Sequence, residues 1–451
     1  MSQLYSDTET TIIAPATAIG GAVVVVRISG IHAIAIADSI FRGRQRLSDA
    51  KGYTLHYGNI VYDNGEILDD VVVALFRSPH SYTGEDSVEI TLHGSEYITS
   101  ELLRLAIERG AVMATPGEFT KRAFLAGKMD LSRAEAVADI IASDSRWSHN
   151  VASSQMRGSY SSRLGQMRES LLRLCSLLEL ELDFSEEDVE FANRTELREM
   201  LIAVKEDVSQ LKSSFALGNV LKNGVTVSIV GEPNVGKSTL LNALIEEDRA
   251  MVSDIAGTTR DTVEATTTID GIRYRFIDTA GLRTTSDALE QMGIDRTYRA
   301  MQNAQIILHV CAADNPIFEN ISIQPSQKYI QVINKIDDAI STDAKDIKTP
   351  LRISAKYGKG IDMLRAVLRK CTDTSHLNSS SVVVTNMRHF SALERAEESL
   401  CMALNAMDNS LPSDLLSEDL RDTLHHLGEI TGDITSDDIL HTIFSRFCIG
   451  K

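Results

Sequence analysis

Eight consecutive residues carry the first chemical signal: Gly231-Glu232-Pro233-Asn234-Val235-Gly236-Lys237-Ser238. They follow the β-branched run 225–230 and precede an apolar helical stretch that begins at Thr239. Glycines at both ends let such a loop curl until its backbone N–H groups point at a phosphate chain. In that setting Lys237 reaches the β and γ phosphates, and Ser238 offers a hydroxyl to Mg²⁺. A chance glycine-rich turn would not set Lys-Ser at the join of a buried strand and an apolar helix. Two further elements follow the order a nucleoside triphosphatase needs. Asp278-Thr279-Ala280-Gly281 ends a strand paired, through an Asp270-Gly271 hairpin turn, with the run before it. A carboxylate at Asp278 can hold the Mg²⁺ water shell, and Gly281 can bring its N–H to the γ phosphate. Upstream, Gly257-Thr258-Thr259-Arg260-Asp261 supplies a threonine that can complete the Mg²⁺ coordination.

The base is read by a second set. Asn334-Lys335-Ile336-Asp337 follows a β-run at 329–333. The Asp337 carboxylate can accept both the N1–H and the exocyclic N2–H of guanine. Adenine lacks that donor pair and would leave a buried carboxylate unpaired, a penalty of several kcal/mol. Asn334 can address the other base edge, and the Lys335 stem can lie along the base plane. Ser354-Ala355-Lys356, after the next strand, offers a backbone amide to the base carbonyl. In this order, on these strand ends, the set points to GTP.

Many small GTPases place a glutamine directly after the Asp-x-x-Gly element to orient the attacking water. Here Leu282 stands there and cannot do so. Two residues could substitute. The Asn234 carbonyl oxygen could ligate a monovalent cation beside the phosphates, supplying positive charge where the transition state needs it. Glu290 could orient a bridging water, although taken alone it reads first as a solvent-facing helix charge.

The elements that must position these groups show three textures. Residues 8–125 mix β-runs (23–28, 70–75, 87–92) with one helical stretch at 98–108 and the turn signal Asp63-Asn64-Gly65, an α+β pattern. Residues 131–217 are helical: Leu197, Leu201, Val204, Val208, Leu211 and Phe215 form one stripe, and Leu164, Met167, Leu171, Leu174 and Leu178 another. The acidic run 185–190 between them reads as a solvated linker. Residues 222–370 alternate β-runs (226–230, 262–269, 272–277, 306–310, 329–333, 351–353) with helices, the signature of a mainly parallel sheet, with 314–327 strand- or loop-like. After the serine-rich join 372–381 the helical texture resumes, too short to bury a core alone. It is expected to pack on the 131–217 helices, making the α/β part an insertion.

The 451 residues, with 45 Lys+Arg against 63 Asp+Glu and a net charge of −18, suggest about three domains. They also disfavour a protein that coats nucleic acid by bulk charge. Five scattered cysteines without a CxxC pair argue against a disulfide framework or zinc knuckle and suit a reducing cytosol. Neither a signal peptide nor a membrane-spanning run is expected.

Together, Gly-x-Pro-Asn-x-Gly-Lys-Ser, Gly-Thr-Thr-Arg-Asp, Asp-Thr-Ala-Gly-Leu-Arg and the terminal Phe447-Cys448-Ile449-Gly450-Lys451 resemble the tRNA-modifying GTPase family MnmE, also called TrmE. N-terminal segments agree: Val26-Arg27-Ile28-Ser29-Gly30, Ser81-Tyr82-Thr83-Gly84-Glu85-Asp86 with Glu89 and His93-Gly94, Pro116-Gly117-Glu118-Phe119-Thr120, and Lys128-Met129-Asp130-Leu131. The resemblance spans essentially the whole chain. It implies a multidomain fold: an N-terminal α+β folate-binding and dimerisation domain (1–125), an α-helical domain in two parts (126–220 and 374–451), and an inserted α/β P-loop GTPase domain of Ras-like type (221–373).

The resemblance further implies a cytoplasmic homodimer that works with the flavin-dependent protein MnmG in a hetero-oligomer. Together they add a (carboxymethyl)aminomethyl group to C5 of the wobble uridine of certain tRNAs. GTP and GDP would be the nucleotides, with K⁺ and Mg²⁺ as ions and no membrane partner. Potassium would be held by Asn234, Ser253, Ile255 and Thr258, and Mg²⁺ by Ser238 and Thr259. The nucleotide site would comprise Asn234, Val235, Gly236, Lys237, Ser238 and Thr239, then Ser253, Asp254, Ile255, Ala256, Gly257, Thr258 and Thr259, then Asp278, Thr279, Ala280 and Gly281, and finally Asn334, Lys335, Asp337, Ser354, Ala355 and Lys356. Glu290 falls where the family keeps its catalytic glutamate. Arg27, Glu89, Lys128 and Lys451 match positions that bind 5-formyltetrahydrofolate or a related one-carbon tetrahydrofolate. Cys448 matches the family's C-terminal cysteine, important for modification; by its own chemistry it also reads as a small buried hydrophobe.

Two other functions fit parts of the pattern. A GTP-switched RNA-binding assembly factor should carry a basic RNA-binding module beside its GTPase domain, where this chain has an α+β domain and an acidic total. An aminomethyltransferase with a merely regulatory GTPase domain would turn over folate without nucleotide.

Overall fold

Every second residue of Val23–Ser29 and Ser87–His93 is apolar and turned inward: Val24, Val26 and Ile28, then Val88, Ile90 and Leu92. A period of two makes a half-buried strand. In the computed structural model of the chain, which describes residues 10–183, 194–245, 264–278, 300–318, 321–325, 327–337, 349–372, 382–409 and 411–451, the two strands are neighbours. They belong to a seven-stranded sheet of β1 (Thr11–Pro15), β2 (Val23–Ser29), β3 (Phe41–Gly43), β4 (Thr54–Val61), β5 (Ile67–Phe76), β6 (Ser87–His93) and β7 (Ala111–Met113). Its order is β3-β4-β5-β6-β2-β1-β7, antiparallel except for the β1–β7 pair. Helices Ala33–Ile40 and Glu96–Glu108 pack on one face, where Ile34, Ala37, Leu102 and Leu105 join the strand residues in a core. The other face is covered at its β1 end, where Ile12 and Ala14 are buried with Ala114 and Phe119, and exposed at its β4 and β5 end. Across it the register aligns Leu55, Ala74, Glu89 and Arg27 in one row, and Tyr57, Val72, Thr91 and Val25 in the next.

The expected helix at 98–108 begins two residues earlier, and the Asp63-Asn64-Gly65 turn joins β4 to β5, with Gly65 N–H donating to Tyr62 O. Helices Ala33–Ile40 and Glu118–Leu125, and the strands β1, β3, β4 and β7, are additions to the sequence reading.

By contact density the chain forms two units, Met1–Ala138 with Gln155–Val208 and Ser391–Lys451, and Asp139–Ser154 with Ser209–Phe390. In the first, helix Ser159–Asp183 buries Leu164, Met167, Leu171, Leu174 and Leu178 and packs with helix Ser413–Thr431. An Arg421–Glu179 ion pair at 2.7 Å joins the two at the surface. The stripe Leu197, Leu201, Val204, Val208 and Leu211 is buried on helix Arg194–Ser213. Phe215 does not extend it. Ser214 bends its hydroxyl back to Leu211 O (2.6 Å), a local bond that competes with continued helix, and Phe215 opens a separate helix, Phe215–Asn223.

The second unit is built on a six-stranded sheet. Its strands are β8 (Val225–Val230), β9 (Glu264–Ile269), β10 (Ile272–Asp278), β11 (Ile306–Ala312), β12 (Lys328–Asn334) and β13 (Leu351–Arg352). The order β13-β12-β11-β8-β10-β9 is parallel apart from the β9–β10 hairpin. All seven residues of β11 are buried, as a strand covered on both faces requires. Asp270 (φ +51°) and Gly271 (φ +79°) turn the hairpin with both residues left-handed, the geometry that Asp-Gly favours. A Cβ on Gly271 would lie 3.4 Å from Cδ1 of Trp147, the only tryptophan in the chain. Trp147 belongs to helix Arg146–Met156 and packs against the sheet's core. Between β11 and β12 the described residues contain no helix, in keeping with the strand- or loop-like reading of 314–327.

Candidate functional site

From β8 the chain passes to β10 on one side and to β11 on the other. Such a switch in winding opens a crevice at the carboxyl ends of parallel strands, where α/β sheets bind ligands. The phosphate loop lies there. Gly231 has φ +145°, and a Cβ on it would fall 2.0 Å from Val310 O, so only glycine lets β8 turn this close to β11. Asn234 is left-handed at φ +64°, and a Cβ on Gly236 (φ +93°) would sit 2.4 Å from Asn334 Nδ2.

The helix begins at Lys237, two residues earlier than expected, and runs to Ile245. Lys237, Ser238 and Thr239 are therefore its first turn, whose N–H groups have no intrahelical acceptor and face an incoming anion. The Lys237 ammonium arches over the loop and donates to Gly231 O (2.7 Å) and Glu232 O (2.8 Å). Asn234, Ser238 and Thr239 are exposed, while Val235 is buried. β10 lies parallel to β8 with Asp278 opposite Ile229, which brings the end of that strand beside the start of the loop.

The residues expected to read the base are stitched together and to the glycine-turned loop. Asn334, 2% exposed, donates from Nδ2 to Val235 O (2.9 Å) and accepts the Ala355 N–H at Oδ1 (3.0 Å). Its side chain thus ties the two loops to each other, with one N–H and one lone pair of the amide beyond these two bonds. Asp337 Oδ1 accepts from the buried Ser354 hydroxyl (2.6 Å), and Ile336 N–H donates to Ile353 O (3.2 Å). Lys335 is exposed and left-handed at φ +66°. The Lys356 ammonium lies 5.0 Å from the centroid of the Tyr357 ring, a cation–π contact.

Ser253, Asp254, Ile255, Ala256, Gly257, Thr258, Thr259, Thr279, Ala280, Gly281, Leu282 and Glu290 lie outside the described residues, and Asp278 is described by its backbone only.

In the first unit, Arg27 and Glu89 are direct cross-strand partners on β2 and β6. Arg27 Nε and a terminal nitrogen both reach Glu89 Oε1, at 2.9 and 2.8 Å. The guanidinium carbon also lies 5.3 Å from the Tyr82 ring centroid and 5.4 Å from that of Phe119. Burial pushes the Tyr82 hydroxyl above its ordinary pKa, against the bond to Thr120 and the charge of Arg27. Lys128 Nζ donates to Pro79 O (2.7 Å).

The chain's end folds onto these elements. Phe444 and Phe447 pack with Leu131, Ala134 and Leu440, and Cys448 O accepts from Gly117 N–H (3.4 Å) and Lys451 N–H (3.3 Å). A Cβ on Gly450 would fall 2.1 Å from Pro15 O, so the tail lies flat on the end of β1. The Cys448 residue is exposed and reduced, and Lys451 is half-buried.

One cluster escaped the sequence reading. Arg122, 3% exposed, donates to Glu85 (3.0 Å), Glu118 (3.0 Å) and Thr10 O (2.8 Å). Glu85 Oε2 also accepts from Ser29 Oγ (2.8 Å), and Ser29 bonds Thr83 at 2.7 Å. The signal was present in part: Ser29, Thr83, Glu85 and Glu118 all lie in the quoted motifs, and Arg122 stands four residues after Glu118 on one helix face.

Comparison with known proteins agrees in extent. The family described as "GTP-binding protein TrmE N-terminus" matches residues 11–128, and "MnmE helical domain" matches 131–448. The chain is 48% identical to the tRNA modification GTPase MnmE of Cytophaga hutchinsonii over 98% of both chains. It is 46% identical to that of Bacteroides fragilis, over 98% of this chain and 99% of that one. Among solved structures, a single-residue variant of Era from Aquifex aeolicus bound to GDP·AlF4− is 28% identical, over 40% of this chain and 67% of that one, with a TM-score of 0.26.

Proposed function

The chain belongs to the MnmE family of tRNA modification GTPases, and from that membership we propose a potassium-dependent GTP hydrolase that acts with a flavin-dependent partner, MnmG. The two add a (carboxymethyl)aminomethyl group to C5 of the wobble uridine of certain tRNAs. One observation carries the GTPase half. The glycine-turned loop before Lys237–Ile245 opens at the switch point of a parallel sheet, and Asn334 bolts it to the guanine-reading loops.

Lys237 and the first-turn amides hold the β and γ phosphates, and Asp337 accepts from the guanine edge. Ser238 and Thr259 would hold Mg²⁺; Asn234, Ser253, Ile255 and Thr258 would hold K⁺. The described members fit these roles: Ser238 is exposed in the helix's first turn, and Asn234 is exposed on a left-handed backbone within the phosphate loop. Bound there, the two ions supply positive charge against the charge that develops on the phosphate oxygens. Glu290 orients the attacking water, so no amide is needed in the place of Leu282.

The N-terminal domain binds a one-carbon tetrahydrofolate through Arg27, Glu89, Lys128 and Lys451. Fit is supported by the partly exposed Arg27–Glu89 pair beside Tyr82, a polar and aromatic edge suited to a flat ligand with hydrogen-bonding groups, with the buried Phe119 backing the guanidinium. Arg27 and Glu89 would exchange their mutual bond for bonds to the ligand, and Cys448 lies on the tail that closes onto the same domain. The exposed β4 and β5 part of this domain's sheet face, with Leu55 74%, Tyr57 70% and Val72 39% exposed, is the surface a homodimer would bury. The domains run 1–125, 126–220 with 374–451, and 221–373. Acting on tRNA beside MnmG, the protein works in the cytoplasm. No described helix is long and apolar enough to cross a membrane.

The test is nucleoside analysis of tRNA from cells lacking the chain. Loss of the modified wobble uridine, restored by the wild-type gene, is the expected result. Unchanged wobble uridines would defeat the modification reading whatever the GTPase data showed.

A further inference from the structure

Asp337 is held at two points, and only one is its carboxylate. Ser354 Oγ holds Oδ1. The second bond comes from Lys359, whose ammonium donates to the backbone carbonyl of Asp337 at 2.9 Å. Lys359 is itself anchored: Ser354 N–H donates to Lys359 O (3.0 Å) and Tyr357 N–H to Ser354 O (3.3 Å), so residues 354–359 close into a ring. Gly360 fixes the exit, because at φ +78° a Cβ there would lie 2.9 Å from Arg352 O, and it caps helix Ile361–Cys371. A rigid ring thus grips Asp337 by side chain at one end and by main chain at the other.

We propose that Lys359 is a positioning residue for guanine recognition, acting through the Asp337 peptide carbonyl and never touching the nucleotide. The inference rests on the reading of Asp337 as the guanine-binding carboxylate. Two N–H donors side by side on the purine edge demand a carboxylate fixed in both distance and tilt. Ser354 fixes one oxygen, and the main-chain bond from Lys359 removes the remaining rotation of the residue. Because the grip is on the peptide, it is indifferent to what the side chain carries. It should help an amide at position 337 read xanthine as much as it helps the carboxylate read guanine.

The experiment uses the full chain with fluorescent N-methylanthraniloyl nucleotides. Lys359→Met keeps the aliphatic stem and removes the donor; Lys359→Arg keeps a donor. Each is made in the wild type and in Asp337→Asn. Lys359→Met should weaken GDP binding roughly three- to tenfold, the range for one lost hydrogen bond of ordinary net strength. It should weaken XDP binding to Asp337→Asn by a similar factor, and Lys359→Arg should restore most of both. Unchanged GDP affinity in Lys359→Met, while Asp337→Asn still switches preference from guanine to xanthine, overturns the proposal and spares the reading of Asp337. A loss that Arg fails to restore, with a matching fall in unfolding temperature, also overturns it, as a fold defect. Failure of Asp337→Asn to switch preference sinks the reading of Asp337 and the proposal with it.

Discussion

Asn334→Ala removes a side chain that bolts the phosphate loop to the base loops. The wild-type amide is 2% exposed and makes two bonds to main chain, to Val235 O at 2.9 Å and from Ala355 N–H at 3.0 Å. Both Val235 and Ala355 are 5% exposed, so neither orphaned group reaches bulk water easily. Each unmet buried partner costs about 1–3 kcal/mol, and their sum, eased by a water entering the vacated volume, is about 3 kcal/mol. Urea unfolding followed by Trp147 fluorescence reads the unit that holds the site, which matters because a chain of two units need not unfold in one step. GDP affinity should fall by about tenfold or more, since both loops lose their spacing. Asn334→Asp sharpens the test: it keeps the acceptor for Ala355 but sets a carboxylate against Val235 O, and should be no better than Ala. A variant within about 0.5 kcal/mol of wild type that binds GDP normally would refute the two-loop bolt.

Three further outcomes follow from the geometry. GTP hydrolysis should run faster in KCl than in NaCl at equal ionic strength if, as proposed, a cation at Asn234 offsets the transition-state charge; equal rates would remove that role. Arg122→Met should destabilise the first unit by about 3–5 kcal/mol in urea unfolding, because Glu85 and Glu118, 17% and 15% exposed, lose a buried cation; a change under about 1 kcal/mol would mean the carboxylates re-pair. The hydrogen bond to Asp69 raises the pKa of exposed His93 above the ordinary 6.5, so the tie is fully present below that value and is lost as pH rises through the elevated one. An NMR titration of His93 should show the raised midpoint and its return in Asp69→Asn; an ordinary wild-type midpoint would remove the tie.

What the sequence made legible were features local in chain. Asp270-Gly271 announced a hairpin because two left-handed residues in succession have few other owners, and the loop 231–238 was readable because its glycines, lysine and serine are spaced for a strand-to-helix turn. Long-range partnerships were not. Nothing in 334–337 says that the Asn334 amide also bonds Val235 O and Ala355 N–H, 99 and 21 positions away. Arg122 and Glu85 are 37 residues apart and meet because helix Glu118–Leu125 packs beside the segment that leads into β6. Strands β3 and β7 are three residues each, too short for alternation to register, and exist because a neighbour offers its edge. Phe215 fits the spacing of the stripe before it, yet a serine hydroxyl ended the helix first.

Trp147 rests on the turn of the hairpin whose second strand ends at Asp278. The single indole is packed against the turn from which β10 runs to the Asp-Thr-Ala-Gly element. Excitation at the red edge of the indole band, where tyrosines are nearly silent, therefore watches one spot of one unit without dye or label. Stopped-flow mixing with nucleotide becomes a direct clock for whether events at the phosphates travel down β10.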